Sequence, residues 1–123
     1  GLAQLEQLET FIEIKENNYQ KYKSEGIDLL NFRPDIRSNK WFYSYCSENR
    51  DELIEYLQNN NIQTRPIWNL IHELNPYKEF ESYKIEKAKQ YWNVVINLPC
   101  STNLSAEEIK YVCDCIKLFE KRK

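Results

Sequence analysis

The sequence predicts an α+β fold, in which a small sheet of about three strands packs with helices behind a long N-terminal helix. Apolar residues recur at intervals of three and four in four segments, which is the period of amphipathic helices. Three short runs between them are rich in aromatic and β-branched residues, which is typical of strands. The 123 residues suffice for one domain, and a sheet layered with helices buries all of these apolar faces.

The first predicted helix begins at Leu2 and ends at Gly26, which supplies a left-handed stop. Its apolar face contains Leu2, Leu5, Leu8, Ile12, Tyr19 and Tyr22. No capping residue precedes this helix, and its apolar stripe is in phase from Leu2 onward. Since the chain also contains no Met, we expect a fragment of a longer protein whose missing part covers the first three leucines. The following segment, Ile27 to Asn39, is predicted as an edge segment or loop.

The middle of the chain predicts a strand, a helix and a second strand. Trp41 to Cys46 is aromatic enough for a strand. Asn49 and Glu52 resemble a capping box at the start of the next helix, which three consecutive asparagines end because Asn tolerates left-handed dihedral angles. Ile62 to Arg65 is predicted as a short strand that ends at Pro66.

The last part begins with a long segment without periodicity, from Pro66 to Tyr83. A connection this long and this aromatic is more often functional or covered by a partner than free in water. A helix is predicted from Lys84 to Trp92, and an apolar strand from Val94 to Leu98. The final helix begins at a capping box formed by Ser105 and Glu108.

Composition excludes several classes of function. The 17 Lys and Arg residues against 19 Asp and Glu residues give a net charge of −2 without any basic block, so no nucleic-acid partner is expected. Gly1 and Gly26 are the only glycines, and they cannot form a glycine-rich phosphate-binding loop. A single histidine excludes metal sites that need several imidazoles. A mean hydropathy of −0.76 predicts no membrane-spanning helix and no signal peptide.

The four cysteines are predicted to be reduced, as in a cytoplasmic protein, because they lack paired spacing. They are Cys46, Cys100, Cys113 and Cys115. Cys113 and Cys115 diverge by roughly 200° around a helix and cannot share a disulfide or a metal. A zinc site made of four thiolates is the minor alternative.

Arg65, Trp68 and His72 are the candidate binding residues. The guanidinium can bind a phosphate or carboxylate, the indole offers a flat face for stacking, and the imidazole can donate to an oxygen. In the alternative interpretation Trp68 belongs to the core, Arg65 pairs with a local carboxylate, and His72 is an exposed loop residue. No catalytic or metal-binding residue is predicted, because nothing in the sequence places a Cys or Ser beside the histidine.

Five segments, in this order and spacing, resemble the C-terminal part of one enzyme family. They are Gly1 to Leu8, Asn49 to Leu53, Asn61 to Trp68 with His72, Pro76-Tyr77, and Ile96 to Ser101. The chain resembles the small domain of pyridoxal-phosphate-dependent sugar-nucleotide aminotransferases of the DegT/StrS type, which have fold type I. Thr64 to Trp68, with the histidine four residues later, looks most like the branch acting on UDP-linked 4-keto sugars for bacillosamine- or legionaminic-type glycans.

This resemblance implies a single small domain over residues 1–123, with an interdomain helix over 1–25 and an α+β body over 27–123. The full-length enzyme would be a cytoplasmic homodimer that transfers an amino group, usually from glutamate, to a nucleotide-linked keto sugar for surface polysaccharide synthesis. In this family the Schiff-base lysine and most cofactor contacts lie in the N-terminal domain. The resemblance therefore implies an inactive fragment without bound pyridoxal phosphate, whose Arg65, Trp68 and His72 bind the nucleotide sugar.

The residues alone, without the family resemblance, also support a second hypothesis. An independent α+β module would use the connection from Pro66 to Tyr83 to capture a small anion or a regulatory partner protein. Specific binding by a folded monomer would favour the module, whereas the uncapped first helix favours the fragment.

Overall fold

The computed structural model describes residues 1–122, and within them it shows the predicted α+β architecture, with five α-helices and one three-stranded sheet. The helices are α1 (Leu2–Glu6), α2 (Leu8–Ser24), α3 (Arg50–Asn59), α4 (Glu86–Val94) and α5 (Ala106–Glu120). The strands are β1 (Tyr43–Cys46), β2 (Arg65–Pro66) and β3 (Val95–Leu98). Two 3-10 helices, Ile71–Glu73 and Asn75–Tyr77, lie in the connection between β2 and α4.

The predicted first helix is divided into α1 and α2 at Gln7, whose φ of −105° and ψ of 4° depart from helical values. Gly26 has a φ of 83°, which confirms the left-handed stop, because a residue without Cβ adopts this conformation at little cost. Leu2, Leu5 and Leu8 are 74%, 66% and 45% exposed. The apolar stripe that they form is therefore not covered by the part of the chain that the structure describes.

The sheet has the order β1-β3-β2, and both pairs are antiparallel. The prediction that a strand over residues 62–65 ends at Pro66 was wrong, since β2 consists of Arg65 and Pro66. Pro66 is opposite Ile96 on a strand at the edge of the sheet. An edge strand accommodates proline because its outward side needs no N–H donor for a further strand.

Three helices bury one face of the sheet. Tyr22 of α2 packs against Tyr43 of β1 with ring centroids 5.5 Å apart. Most of the fully buried aliphatic side chains come from the sheet and from α3 and α5, namely Ile96, Leu98, Leu53, Leu57, Ile109 and Ile116, and Leu29 joins them from the segment before β1. Side chains alternate between the two faces of a strand. Asn97, which lies between Ile96 and Leu98 on β3, therefore faces the other side of the sheet.

Of the two capping boxes that the sequence predicts, the one at α5 is present and the one at α3 is not. Asn49 precedes α3 but its side chain makes no capping hydrogen bond, so the predicted capping box there was wrong. At α5, Ser105 Oγ accepts a hydrogen bond from the Glu108 N–H at 3.1 Å, and the Glu108 carboxylate accepts one from the Ser105 N–H at 2.7 Å. Hydrogen bonding of the carboxylate to the Ser105 N–H, and next to the Ser105 hydroxyl, stabilises the ionised form and lowers the pKa of Glu108. Asn61, with a φ of 59°, has the left-handed conformation predicted after α3.

All four cysteines are free thiols, and Cys113 and Cys115 are buried. Among residues 1–122 there is no cluster of three or more His, Cys, Asp or Glu side chains arranged to hold a metal ion. Within the same range, every helix is too short or too polar to cross a bilayer.

Candidate functional site

A polar row crosses the sheet on the side away from the helical core. Asn97 on the central strand β3 is the register partner of both Ser44 on β1 and Arg65 on β2. Directly opposite residues of an antiparallel pair share one face of the sheet. Ser44 Oγ donates a hydrogen bond to Asn97 Oδ1 at 2.9 Å, which fixes the amide beside Arg65.

A cavity of about 410 Å³ opens at the Arg65 end of this row. It is within the size range of small-molecule pockets, about 300–1,000 Å³. Its lining comes from Phe42 before β1, the segment around β2, and the end of β3, and consists of Phe42, Gln63, Thr64, Arg65, Pro66, Trp68, Asn97, Leu98, Pro99 and Cys100. Short strands thus bring together three distant parts of the sequence.

Arg65 is exposed in this cavity, and no group of residues 1–122 forms a hydrogen bond or an ion pair with its guanidinium. The structure therefore gives no support to a local carboxylate partner. A planar guanidinium with free donors can bind a phosphate or carboxylate through two parallel hydrogen bonds.

Trp68 is 71% exposed, so the alternative that placed it in the core was wrong. Its ring meets the rings of Trp41 and Phe42 edge-on, with centroids 5.8 Å and 5.9 Å away. Trp41 and Phe42 stack on each other with centroids 4.9 Å apart. We call Trp41, Phe42 and Trp68 the aromatic wall; it offers a planar surface for stacking a base or the apolar face of a sugar.

His72 does not line this cavity, although Arg65 and Trp68 both do. It lies on the first 3-10 helix, and its side chain is only 21% exposed. Its Nε2 is buried without a hydrogen-bond partner in the described chain and lies 3.6 Å from Glu73 Oε1. The interpretation of His72 as an exposed loop residue was therefore wrong, while its role in binding stays a prediction.

The chemistry that this cavity can perform is limited by its lining. Among the described lining residues Arg65 is the one charged side chain, and Thr64 and Cys100 carry the nucleophilic side chains. A general acid or base requires a titratable group within hydrogen-bond reach of the reacting proton. The cavity is thus suited to bind and orient an anionic ligand, and its described lining contains no carboxylate, histidine or lysine for proton transfer.

The sequence did not identify Phe42, Asn97 and Cys100 individually as lining residues. Asn97 and Cys100 belong to the segment from Ile96 to Ser101, so the resemblance carried a signal for them. Phe42 had no such signal, because an aromatic residue in a predicted strand is more often part of a core.

Comparison with known proteins gives a match over nearly the whole chain. The sequence profile of the DegT/DnrJ/EryC1/StrS aminotransferase family matches residues 1–117. The GDP-perosamine synthase of Vibrio cholerae is 31% identical to this chain. The alignment is 130 residues long and covers 97% of this chain and 35% of that protein.

Solved structures give the same likeness in three dimensions. A DegT DnrJ EryC1 StrS aminotransferase from Brucella abortus superposes with a TM-score of 0.87 at 22% identity, over 96% of this chain and 33% of that one. A sugar aminotransferase from Streptococcus pneumoniae in its PLP form superposes with a TM-score of 0.86 at 24% identity, over 99% and 34%. The chain therefore has the fold of about a third of these proteins.

Proposed function

Because the chain belongs to the DegT/DnrJ/EryC1/StrS aminotransferase family, we propose that it is the C-terminal small domain of an enzyme that transfers an amino group to a nucleotide-linked keto sugar. The chain spans about a third of the length of the relatives that it matches. In the proposed division, residues 1–25 form the interdomain helix and 27–123 form the α+β body of one domain. The exposed leucine stripe on α1 and the start of α2 supports contact with the remainder of the protein.

The observation that carries the proposal is the guanidinium of Arg65, which has no partner among residues 1–122 and lies beside the aromatic wall. A nucleotide sugar combines a diphosphate with planar and ring-shaped groups, and the cavity presents a matching cation and a matching stacking surface. In the proposed complex Arg65 binds an anionic or carbonyl oxygen and Trp68 packs against a ring. His72, whose Nε2 lacks a partner, would reach a sugar or diphosphate oxygen.

Pyridoxal phosphate is the cofactor that the family implies, and it serves as an electron sink when bound. The cavity does not fit this cofactor, since its described lining contains no lysine for covalent attachment and no acid for the pyridine nitrogen. We place the cofactor on residues outside this chain and derive no step through it. The role of this chain is then to hold and orient the sugar, and residues 1–123 alone are expected to be inactive.

Glutamate is the proposed amino donor, and the full-length enzyme is proposed to act as a homodimer in the cytoplasm, in surface polysaccharide synthesis. Four free thiols support a reducing compartment. The segment from Thr64 to Trp68 favours a UDP-linked sugar, whereas the name of the Vibrio cholerae relative refers to a GDP-linked one, so both nucleotides belong in the assay.

The test is amino transfer by the full-length protein that contains this chain. It is incubated with pyridoxal phosphate, glutamate and a UDP- or GDP-linked 4-keto sugar, and the amino sugar is detected by mass spectrometry. We expect product with one of the two nucleotides and none from residues 1–123 alone. Failure to aminate either sugar with any amino donor would contradict the proposal, and turnover by residues 1–123 would contradict the assignment of catalysis to another part of the enzyme.

A further inference from the structure

Lys15 of α2 connects two segments that are far apart in the sequence. Its Nζ donates hydrogen bonds to the main-chain oxygens of Cys100 at 2.7 Å and of Trp41 at 3.1 Å, and lies 3.5 Å from that of Lys40. A single ammonium thus joins the segment before β1 to the segment after β3.

Both segments contribute to the candidate cavity or contact its lining. Cys100 lines the cavity directly. Trp41 stacks on Phe42, which also lines it, and both rings contact Trp68. The Lys15 ammonium therefore ties the aromatic wall to the segment after β3.

Neighbouring side chains of α2 hold the second segment in the same way. Tyr22 Oη donates to the Pro99 carbonyl at 3.0 Å, and Asn18 Nδ2 donates to the Ser101 carbonyl at 3.4 Å. Lys15, Asn18 and Tyr22 are three and four residues apart and share one face of the helix. Three consecutive carbonyls, from residue 99 to residue 101, are thus bound to one helix.

The chemistry of lysine suits this connection. An ammonium has three donors and no acceptor, so it can bind several carbonyl oxygens at once through charge-assisted bonds. Nζ also lies 5.5 Å from the ring centroid of Tyr43, whose hydroxyl donates to the Lys15 carbonyl at 2.8 Å. Tyr43 itself is fully buried, so Lys15 is attached to the core at both its backbone and its side chain.

We propose that Lys15 is a positioning residue that joins the aromatic wall to the segment after β3 and thereby sets the affinity of the cavity for the nucleotide sugar. The inference rests on the proposed function for its ligand, whereas the connection itself rests on the hydrogen bonds of Lys15. Lys15 lies outside the lining, so its effect on the ligand acts through Trp41 and Cys100.

The test uses the full-length protein with Lys15→Met, which keeps an unbranched side chain one atom shorter and removes the charge and donors of lysine. Lys15→Arg is the conservative variant, and Lys21→Met is the matched control on an exposed position of the same helix. Hydrogen exchange of the peptides that contain residues 40–42 and 99–101 is measured first. Steady-state kinetics then give the KM for the keto sugar and the KM for glutamate.

For Lys15→Met we expect faster exchange in both peptides and a KM for the keto sugar raised by about tenfold, the factor for one lost charge-assisted hydrogen bond. The KM for glutamate should stay the same, Lys15→Arg should recover part of the loss, and Lys21→Met should match the unmodified protein. A merely structural role would lower the melting temperature without separating the two KM values.

Two results would overturn the inference. Faster exchange in only one of the two peptides would mean that Lys15 does not join them, and an unchanged KM for the sugar would mean that the connection does not affect binding. A full-length protein that binds no nucleotide sugar would instead overturn the proposed function, and the exchange data would then decide the role of Lys15 alone.

Discussion

Arg65 and Asn97 lie opposite each other across the antiparallel pair of β2 and β3, and both line the same cavity. The register of the sheet thereby places a guanidinium without a partner in the described part of the chain beside an amide whose oxygen is already bound by Ser44. Since β2 contains only two residues, this pairing positions Arg65 on an edge strand that is otherwise exposed. The geometry of the site therefore depends on one short strand pair.

Trp68→Ala should weaken binding of the nucleotide sugar by several-fold with little loss of stability. An exposed ring contributes about 1 kcal/mol of stacking to a ligand but little to the core. Calorimetric titration and a thermal melt measure the two effects. Tyr83→Ala is the control, since it removes another exposed ring from the same connection outside the cavity. Equal affinities for both variants would exclude Trp68 from the site.

His72→Ala should reduce turnover of the keto sugar less than removal of Arg65, because a neutral hydrogen bond contributes about 1 kcal/mol. Steady-state kinetics of the keto sugar at saturating glutamate check this difference in turnover. His72→Asn is the second variant, because it preserves a polar group at the position. A loss of stability in both variants with unchanged turnover would show that His72 only packs against Glu73.

Much of the helical structure was predictable because its signals are local. The three-and-four spacing and the capping box of α5 depend on residues within a few positions of each other. The prediction failed at Pro66, since whether proline fits a strand depends on the place of that strand in the sheet. It also failed at Asn49, where the right residue types do not form the capping bond.

The site was predictable only in part, because only some of its residues lie close to each other in the sequence. Arg65 and Trp68 are three residues apart, and their chemistry is visible in the sequence. Asn97 and Lys15 take part through contacts between residues that are far apart in the sequence. Lys15 and Cys100, for example, are 85 positions apart, and a local sequence pattern does not predict such a contact. The separation of His72 from the cavity likewise follows from the path of the connection after β2.

The capping box of α5 predicts a pH dependence of stability. The pKa of Glu108 is lowered in the folded state, so its contribution is present above the pKa of the unfolded chain and is lost as the pH falls through the folded pKa. Urea unfolding of residues 1–123 at neutral pH and in acid should show a smaller acid-induced loss for Glu108→Gln than for the unmodified chain. Glu107→Gln, in the same first turn, is the control, and an identical effect of both substitutions would argue against the box.

Residues 1–123 should self-associate through the leucine stripe on α1 and the start of α2. Exposed apolar stripes favour pairing when their normal partner is absent. Light scattering over a concentration series should show association that Leu5→Glu reduces. Leu118→Glu, at an exposed position of α5, should leave it unchanged. A strict monomer at high concentration would remove the support for a covered stripe.

The most direct test of the account is the effect of Arg65→Ala on keto-sugar turnover by the full-length enzyme. Loss of a charge-assisted contact costs about 2 kcal/mol, so kcat/KM for the sugar should fall by tens-fold, with the melting temperature and the KM for glutamate unchanged. Arg33→Ala removes an exposed arginine that pairs with Asp35 outside the cavity and should have no such effect. Unchanged sugar turnover together with a lower melting temperature would contradict the account, because Arg65 would then be a structural residue.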